Sequence, residues 1–233
     1  MKTIAIPLRS AALTTVLAAL LALGGCSVLS SGTPMTTYDL GPLAASPAQP
    51  PAPLPKLRVA QTDGPEWMEG SALYYRLQYA QAQRLQAYAT QRWVEPAPRL
   101  FDERLREAVA SRGSLNWYGD TSVPAIKVDL LAFEQVFDSA TSSRGLVRAR
   151  VTVFHRGLIG QKTFVAEQPA PSADGAGGVR ALAASTDAVI AAILDWAATL
   201  PLDRNNHGAT GAAASAPPVN PATTPPRPAA PRP

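Results

Sequence analysis

The chain has 233 residues and a mass of 24.4 kDa, with 46% hydrophobic and 16% charged residues. That composition fits one packed domain of ordinary size with unstructured extensions. Lys and Arg total 21 against 17 acids, and removal of Lys2 and Arg9 with the leader described below leaves an excess of only two, too small to argue for a nucleic-acid partner. One cysteine and two histidines exclude an intramolecular disulfide framework and a zinc site of the usual Cys/His ligand count.

Met1–Ser10 carries Lys2 and Arg9 without an acid, Ala11–Leu23 is an unbroken run of Ala, Leu, Val and Thr, and Gly24-Gly25-Cys26 follows. This is a secretory signal layout. The apolar run has 13 residues, short of the roughly 20 that span a bilayer. Leu23-Gly24-Gly25-Cys26 resembles a bacterial lipobox, in which small residues let the backbone enter the signal peptidase cleft and the Cys26 thiol takes a diacylglyceryl group. An ordinary signal peptide with a chance cysteine is the plainer alternative, and it leaves the placement of the single thiol unexplained. The expected organisation is a leader over 1–25, a lipid-anchored tether over 26–34, a domain over 35–202 and a tail over 203–233. Ser27 after the cysteine resembles the outer-membrane address of Gram-negative lipoproteins, and two acyl chains anchor stably.

Proline sets the domain boundaries: of 23 prolines, seven lie in Pro34–Pro55 and eight in Pro217–Pro233. Thr36–Leu40 and Lys56–Ala60 read as short strands on either side of a Pro/Ala-rich insertion at 41–55. Leu73, Tyr75, Leu77 and Tyr79 alternate with Tyr74, Arg76 and Gln78, which predicts a strand returning through Leu85–Ala89. Pro98–Ser111 predicts a helix, with Phe101, Leu105, Ala108 and Val109 on one stripe, Asp102 and Glu103 near its start and Gly113 just past its end.

Ile126–Val136 reads as a strand apolar on both faces, because Leu131, Phe133 and Phe137 fall out of phase with Ile126, Val128 and Leu130; that pattern suits a central strand covered on both sides. Leu146–Phe154 is the clearest strand, with Val147, Ala149, Val151 and Val153 opposite Arg148, Arg150 and Thr152. Gly157-Leu158-Ile159-Gly160 then reads as a turn into Lys162–Val165. Val179–Leu200 predicts a long helix, apolar at three- and four-residue spacing, that packs on a sheet and stops at Pro201. The last 30 residues have no acid and no aromatic, so they cannot offset their ordering entropy and read as a disordered tail.

No Gly-x-Ser-x-Gly elbow, phosphate loop or His-Glu-x-x-His occurs, and no catalysis is expected. Gly175–Gly178 reads as a flexible helix-start linker in preference to an anion nest. His155 reads as a surface or turn histidine, and His207 lies in the tail. Glu66 and Glu69 beside Trp67 read as solvated loop acids rather than a sugar-cleaving pair. Arg148 and Arg150 are expected to pair across strands with Asp129 or Glu134; the alternative is a site for an anionic headgroup or an acidic partner.

The ordered set of a lipobox cysteine, Tyr38-Asp39-Leu40, the hairpin Tyr74-Tyr75-Arg76…Tyr88 and Arg92-Trp93-Val94-Glu95-Pro96 before a helix resembles the ABC-type transport auxiliary lipoprotein family, the PqiC/YmbA-like group. Lys127–Phe133 and the alanine-rich final helix fit the later part of that pattern, and the resemblance covers about residues 23–200. Val94, the insertion and the tail depart from it. The resemblance implies an α/β (α+β) domain of LptE-like architecture, a mostly antiparallel sheet covered by two helices. It implies a non-catalytic component with no cofactor beyond the covalent lipid on Cys26, working beside an ABC transporter and an MCE-type periplasmic protein that move lipid or another hydrophobic compound between membranes. Attachment to the outer membrane and a homo-oligomer are further implications. Because Trp, Tyr and Arg often anchor interfaces, Tyr88, Arg92 and Trp93 are the candidate partner contacts, although packing that orients the following helix is the favoured role for Trp93. Rival readings from other classes are a carrier that holds an acyl chain in an apolar groove and a cell-wall-bound structural lipoprotein.

Overall fold

The alternating run Leu146–Phe154 lies inside the long strand β6, Ser142–His155, and the fold is built around it. The computed structural model describes residues 34–43, 54–112, 115–117 and 119–202. The leader, Cys26, the middle of the Pro/Ala insertion, Gly113 and the tail all lie outside the described residues. In chain order the elements are β1 (Thr36–Tyr38), β2 (Arg58–Val59), a 3-10 turn (Glu66–Met68), β3 (Ala72–Leu77), the one-turn helix α1 (Gln78–Gln81), β4 (Leu85–Trp93), α2 (Ala97–Ser111), β5 (Ala125–Ser139), β6, β7 (Gly157–Pro169) and α3 (Gly175–Ala198).

Among the described residues seven strands form one open mixed sheet in the order β1-β4-β3-β5-β6-β7, with β2 pairing in parallel against the start of β5. The β5-β6-β7 meander is antiparallel, as its short connections require. The shorter strands arrive in both directions: β3 pairs antiparallel to β4 but parallel to β5, and β1 runs parallel to β4.

Four details differ from the sequence reading. The alternation read through Tyr79 stops at Leu77, where β3 ends and Gln78–Gln81 turns into α1, leaving Tyr79 exposed. The out-of-phase apolar residues of β5 come from a register shift between Leu130 and Ala132. One extra residue, Leu131, moves the alternation by one step, so Phe133 faces the core with Leu130 while Leu131 is exposed. The second face of β5 is closed only around Glu134 and Val136, near Arg76 and α1. In β7, the stretch Gly157–Gly160 belongs to the strand, and the turn is made at Arg156, a non-glycine residue with φ of 56°. Gly175–Gly178 is the first turn of α3 rather than a linker, and its end is capped by the Asp174 carboxylate, which accepts from Gly177 N at 2.7 Å.

The core lies between one face of the sheet and the helices α2 and α3. α3 is long and apolar enough to cross a bilayer by composition, but half of its apolar window is buried on the sheet. Gly145 on β6 lets it come close: a Cβ there would stand 2.5 Å from Ala181 C and Leu182 N. Ser185 Oγ uses that closeness and donates to Gly145 O at 2.7 Å. In α2, buried Arg104 pairs with Asp187 of α3 at 2.8 Å and donates to the carbonyls of Leu40, Gly41 and Pro42. A single guanidinium thus fastens the segment after β1 to both helices. Asp102 serves the same fastening on the other side, accepting from Thr62 N and Oγ1 and from Arg106 Nε.

Candidate functional site

Of the residues that sequence singled out as partner contacts, only one is fully on the surface. Trp93 ends β4 with 1% of its surface exposed, edge-on to Phe133 at 5.5 Å. It therefore takes the packing role, because a buried indole offers a partner nothing to touch. Tyr88 is half-buried on the helix-covered face, tilted against Tyr75 at 4.7 Å, and its hydroxyl donates to Gln135 Oε1 at 2.8 Å. Burial pushes its phenol up to about 12, with a smaller contribution from Tyr75. Arg92, between them in sequence, points the other way and is exposed. Alternation puts Arg92 and Trp93 on opposite faces, and the register shift of β4 between Ala87 and Arg92 breaks the phase that would otherwise bring Tyr88 and Arg92 to one face, so the three do not form one patch. Cys26, the expected lipid attachment point, lies outside the described residues.

The surface that stands out is the sheet face that the helices leave uncovered. One row across three strands holds Ala132, Arg148 and Val165, and the next holds Asp129, Arg150 and Thr163. Val165 is 53% exposed, and the displaced Leu131 is 40% exposed. Trp67, on the 3-10 turn, is 37% exposed and packs edge-on to Tyr74 at 5.1 Å, while Tyr74 Oη donates to Trp67 O at 2.7 Å. A shallow groove of about 390 Å3 runs between Pro65, Trp67, Leu131 and Arg150.

Charges on this face are mostly paired. Arg150 donates to Asp129 Oδ2 through Nε and Nη2 at 3.1 and 3.0 Å, Arg76 holds Glu134 through two bonds, and Lys127 pairs with Asp63. The expected pairing of Arg150 with Asp129 is present, whereas Glu134 is taken by Arg76. Arg148 has no acidic partner among the described residues, so it stands as a free cation at the centre of the row. Glu66 and Glu69 are exposed beside Trp67. No group of three His, Cys, Asp or Glu side chains gathers among the described residues to hold a metal.

Exposed aromatic and aliphatic side chains around an unpaired arginine are the composition of a protein-recognition surface. Sequence reasoning read Trp67 as a packing residue and Leu131 as covered on a second face, and assigned no contact to Val165. The one available signal was that Leu131 breaks the phase of its own strand, which marks either a second covered face or a bulge. His155 also departs from expectation: it is buried, 7% exposed, at the end of β6.

The family model for the ABC-type transport auxiliary lipoprotein component matches residues 38–194. No curated protein matches the chain. Among solved structures, a Xanthomonas campestris protein crystallised under the family name DUF330 superposes with a TM-score of 0.57 at 18% identity, over 71% of this chain and 92% of that one. A second crystal structure, of an uncharacterized protein, gives a TM-score of 0.55 at 14% identity, over 69% and 97%. At those identities the two structures are similar to this chain in fold alone.

Proposed function

The chain belongs to the family of ABC-type transport auxiliary lipoprotein components, and from that premise we propose that it is a non-catalytic docking subunit, anchored to the outer membrane through acylated Cys26. It holds a periplasmic MCE-type protein of an ABC transport system that moves lipid or another hydrophobic compound between membranes. The docking surface is the uncovered sheet face, and Arg148 and Trp67 are its anchors.

The observation that carries this reading is the contrast in filling. The seam between sheet and helices is occupied by Phe101, Phe133, Leu182, Ile193 and Trp93, which leaves an acyl chain little reason to enter there. The outer face keeps a tryptophan, aliphatic side chains and an unpaired arginine in water. Desolvating such groups against a partner is where interfaces gain most of their affinity.

A photocrosslinking residue placed at Val165 in cells tests the proposal, and the expected product is a covalent adduct with the MCE-type protein. Recovery of stoichiometric phospholipid with the purified protein, and no adduct, would overturn it in favour of a carrier. For the anchor, Cys26→Ser is expected to move the protein from the detergent phase to the aqueous phase without changing its melting temperature. Unchanged partitioning would reject lipidation at that residue.

A further inference from the structure

We propose that a segment of this chain's own C-terminal tail, Pro225–Pro231, docks as a polyproline II helix in the groove beside Trp67. The contact stands without any partner protein, and only its effect on a partner rests on the docking reading above. The groove has a volume of about 390 Å3 and runs between Pro65, Trp67, Leu131 and Arg150. Trp67 is 37% exposed and Leu131 40%, an apolar surface that a covering segment takes out of water.

The indole is fixed before anything binds it. Tyr74 packs edge-on against it at 5.1 Å, and the Tyr74 hydroxyl donates to Trp67 O at 2.7 Å. A fixed, exposed aromatic ring with apolar walls suits a proline tract, which arrives already extended and loses little entropy on docking. Charge decides which tract. Residues 41–55 are Pro-rich and carry no charge, whereas Arg204–Pro233 carries Arg204, Arg227 and Arg232 with no acid. On the groove side, Asp63 pairs with Lys127 and Asp129 with Arg150. Glu66 and Glu69 flank Trp67 in sequence, both are exposed, and neither has a cation beside it among the described residues. They are the acids left for the tail's arginines.

The spacing of the segment matches this surface. Three residues per turn put Pro225, Pro228 and Pro231 on one ridge of a polyproline II helix, about 9 Å apart. Arg227 and Arg232 fall on the other two ridges and so flank the apolar line. The proline ridge can lie along Trp67 and Leu131 while the guanidinium groups reach toward Glu66 and Glu69. Arg148, the free cation at the centre of the open face, repels those arginines and confines the segment to the Trp67 end.

The connection is long enough. The last turns of α3 lie over β7, where a Cβ on Gly160 would stand 3.1 Å from the Trp196 ring and 3.2 Å from Leu200. Gly160 pairs with Val153 and Val153 with Ile126, so a few strand spacings and a few residues along β5 separate that end from the groove, a path round the β7 edge on the order of 40 Å. The chain from Leu202 to Pro225 reaches about 70 Å when extended. Such a connection holds the segment at an effective concentration of roughly 1 mM, so a contact with a Kd of about 0.5 mM keeps the groove covered about two-thirds of the time. Because Trp67 is one anchor of the docking surface proposed above, a partner has to displace the tail to reach it.

The full chain, purified in detergent, has four tryptophans, and their indole N–H resonances report cover one by one when a neutral gadolinium chelate is added. Paramagnetic relaxation of Trp67 is expected to rise about threefold in Arg227→Glu/Arg232→Glu, as the covered fraction collapses, and about as far in Pro225→Ala/Pro228→Ala/Pro231→Ala, which removes the ridge. Trp117, 71% exposed, and Trp93, 1% exposed, mark the two ends of the scale. Adding Glu66→Lys/Glu69→Lys to the charge-reversed tail is expected to restore the cover. Trp67 relaxation that is the same in the wild type and in either tail variant would overturn the proposal, whether the groove is then open or filled by residues 44–53. Protection that disappears on tenfold dilution would also overturn it, because the tail in the groove would belong to a second copy. No MCE-type protein enters this measurement, so its failure leaves the docking reading standing, and a missing adduct at Val165 leaves the tail contact standing.

Discussion

The two faces of the sheet are made from the same strands yet obey different rules. On the helix side a position is fixed by volume: Gly145 admits the α3 backbone, and a Cβ there would meet Ala181 C at 2.5 Å. On the open side a position is fixed by charge and solvation: Arg150 pairs with Asp129 and Arg76 with Glu134, while among the described residues Arg148 has no acidic partner and Leu131 and Val165 stay exposed. Stability resides on the first face, and freedom to evolve contacts resides on the second. A surface that carries little of the folding energy can hold Trp67 and Leu131 in water if a partner later covers them.

The sharpest way to break this contrast is to put charge into the covered face. Ile193→Asp buries an unpaired carboxylate in the helix–sheet seam, and a loss of about 4 kcal/mol is expected, enough to unfold a marginal domain. Urea denaturation followed by circular dichroism reads it. Arg104→Ala is expected to cost about 2–3 kcal/mol, below the full penalty for breaking a buried pair because Asp187 keeps some contact with water. Hydrogen exchange should quicken at Gly41 in that variant, since the guanidinium no longer ties down that stretch of backbone.

A smaller effect is expected at the cap of α3, where Asp174→Ala should cost about 1 kcal/mol. Gly177 N–H, and after it the Ser172 hydroxyl, hold the Asp174 carboxyl below the usual carboxylate range. Its contribution is therefore complete above the ordinary value of 3.8 and disappears as pH falls through the lowered folded value. Asp174→Asn keeps the cap without titrating, so its stability should be flatter with pH in that window. The smallest effect on folding belongs to the open face: Arg148→Glu should change stability by no more than about 0.5 kcal/mol while abolishing capture of the proposed MCE-type partner. A loss of stability there as large as at Arg104 would erase the distinction between the faces.

How much of this could be read beforehand follows from how local each signal is. The Val147–Val153 alternation is a property of one strand, and it predicted β6 and its covered face correctly. The wide stripe of α3 likewise gave a sheet-packing helix, although its start was placed four residues late. That error has a physical origin. A glycine that permits close approach looks in sequence like a glycine that permits a turn, and only the neighbouring element tells them apart. Gly178 lies over Gln135, and Gly157 and Gly160 are paired within β7.

The bulge at Leu131 was visible only as a conflict of phase, which two-sided burial explains equally well. Trp93 stands as a candidate contact beside its favoured packing role because indole suits both cores and interfaces, and its burial settles on packing. Arg104 gave no signal at all, since the carbonyls that bury it come from a segment more than 60 residues away.

That arginine also has a mechanical meaning. A pull delivered through an acylated Cys26 would enter the described structure at Pro34 and run along β1, whose ladder to β4 has three registered residues, Thr36 to Gln91, Thr37 to Arg92 and Tyr38 to Trp93. Tension along a strand loads its lateral hydrogen bonds together in shear, but three residues make a short seam. The guanidinium grips the chain just past that seam, at Leu40, Gly41 and Pro42, and is itself bolted to α3 through Asp187. If the ladder slips, the load passes to the helix layer before the sheet opens. A chain tethered through Cys26 would therefore end in a cable clamp, and a partner pulling on the far face would load the anchor without unzipping the edge of the domain.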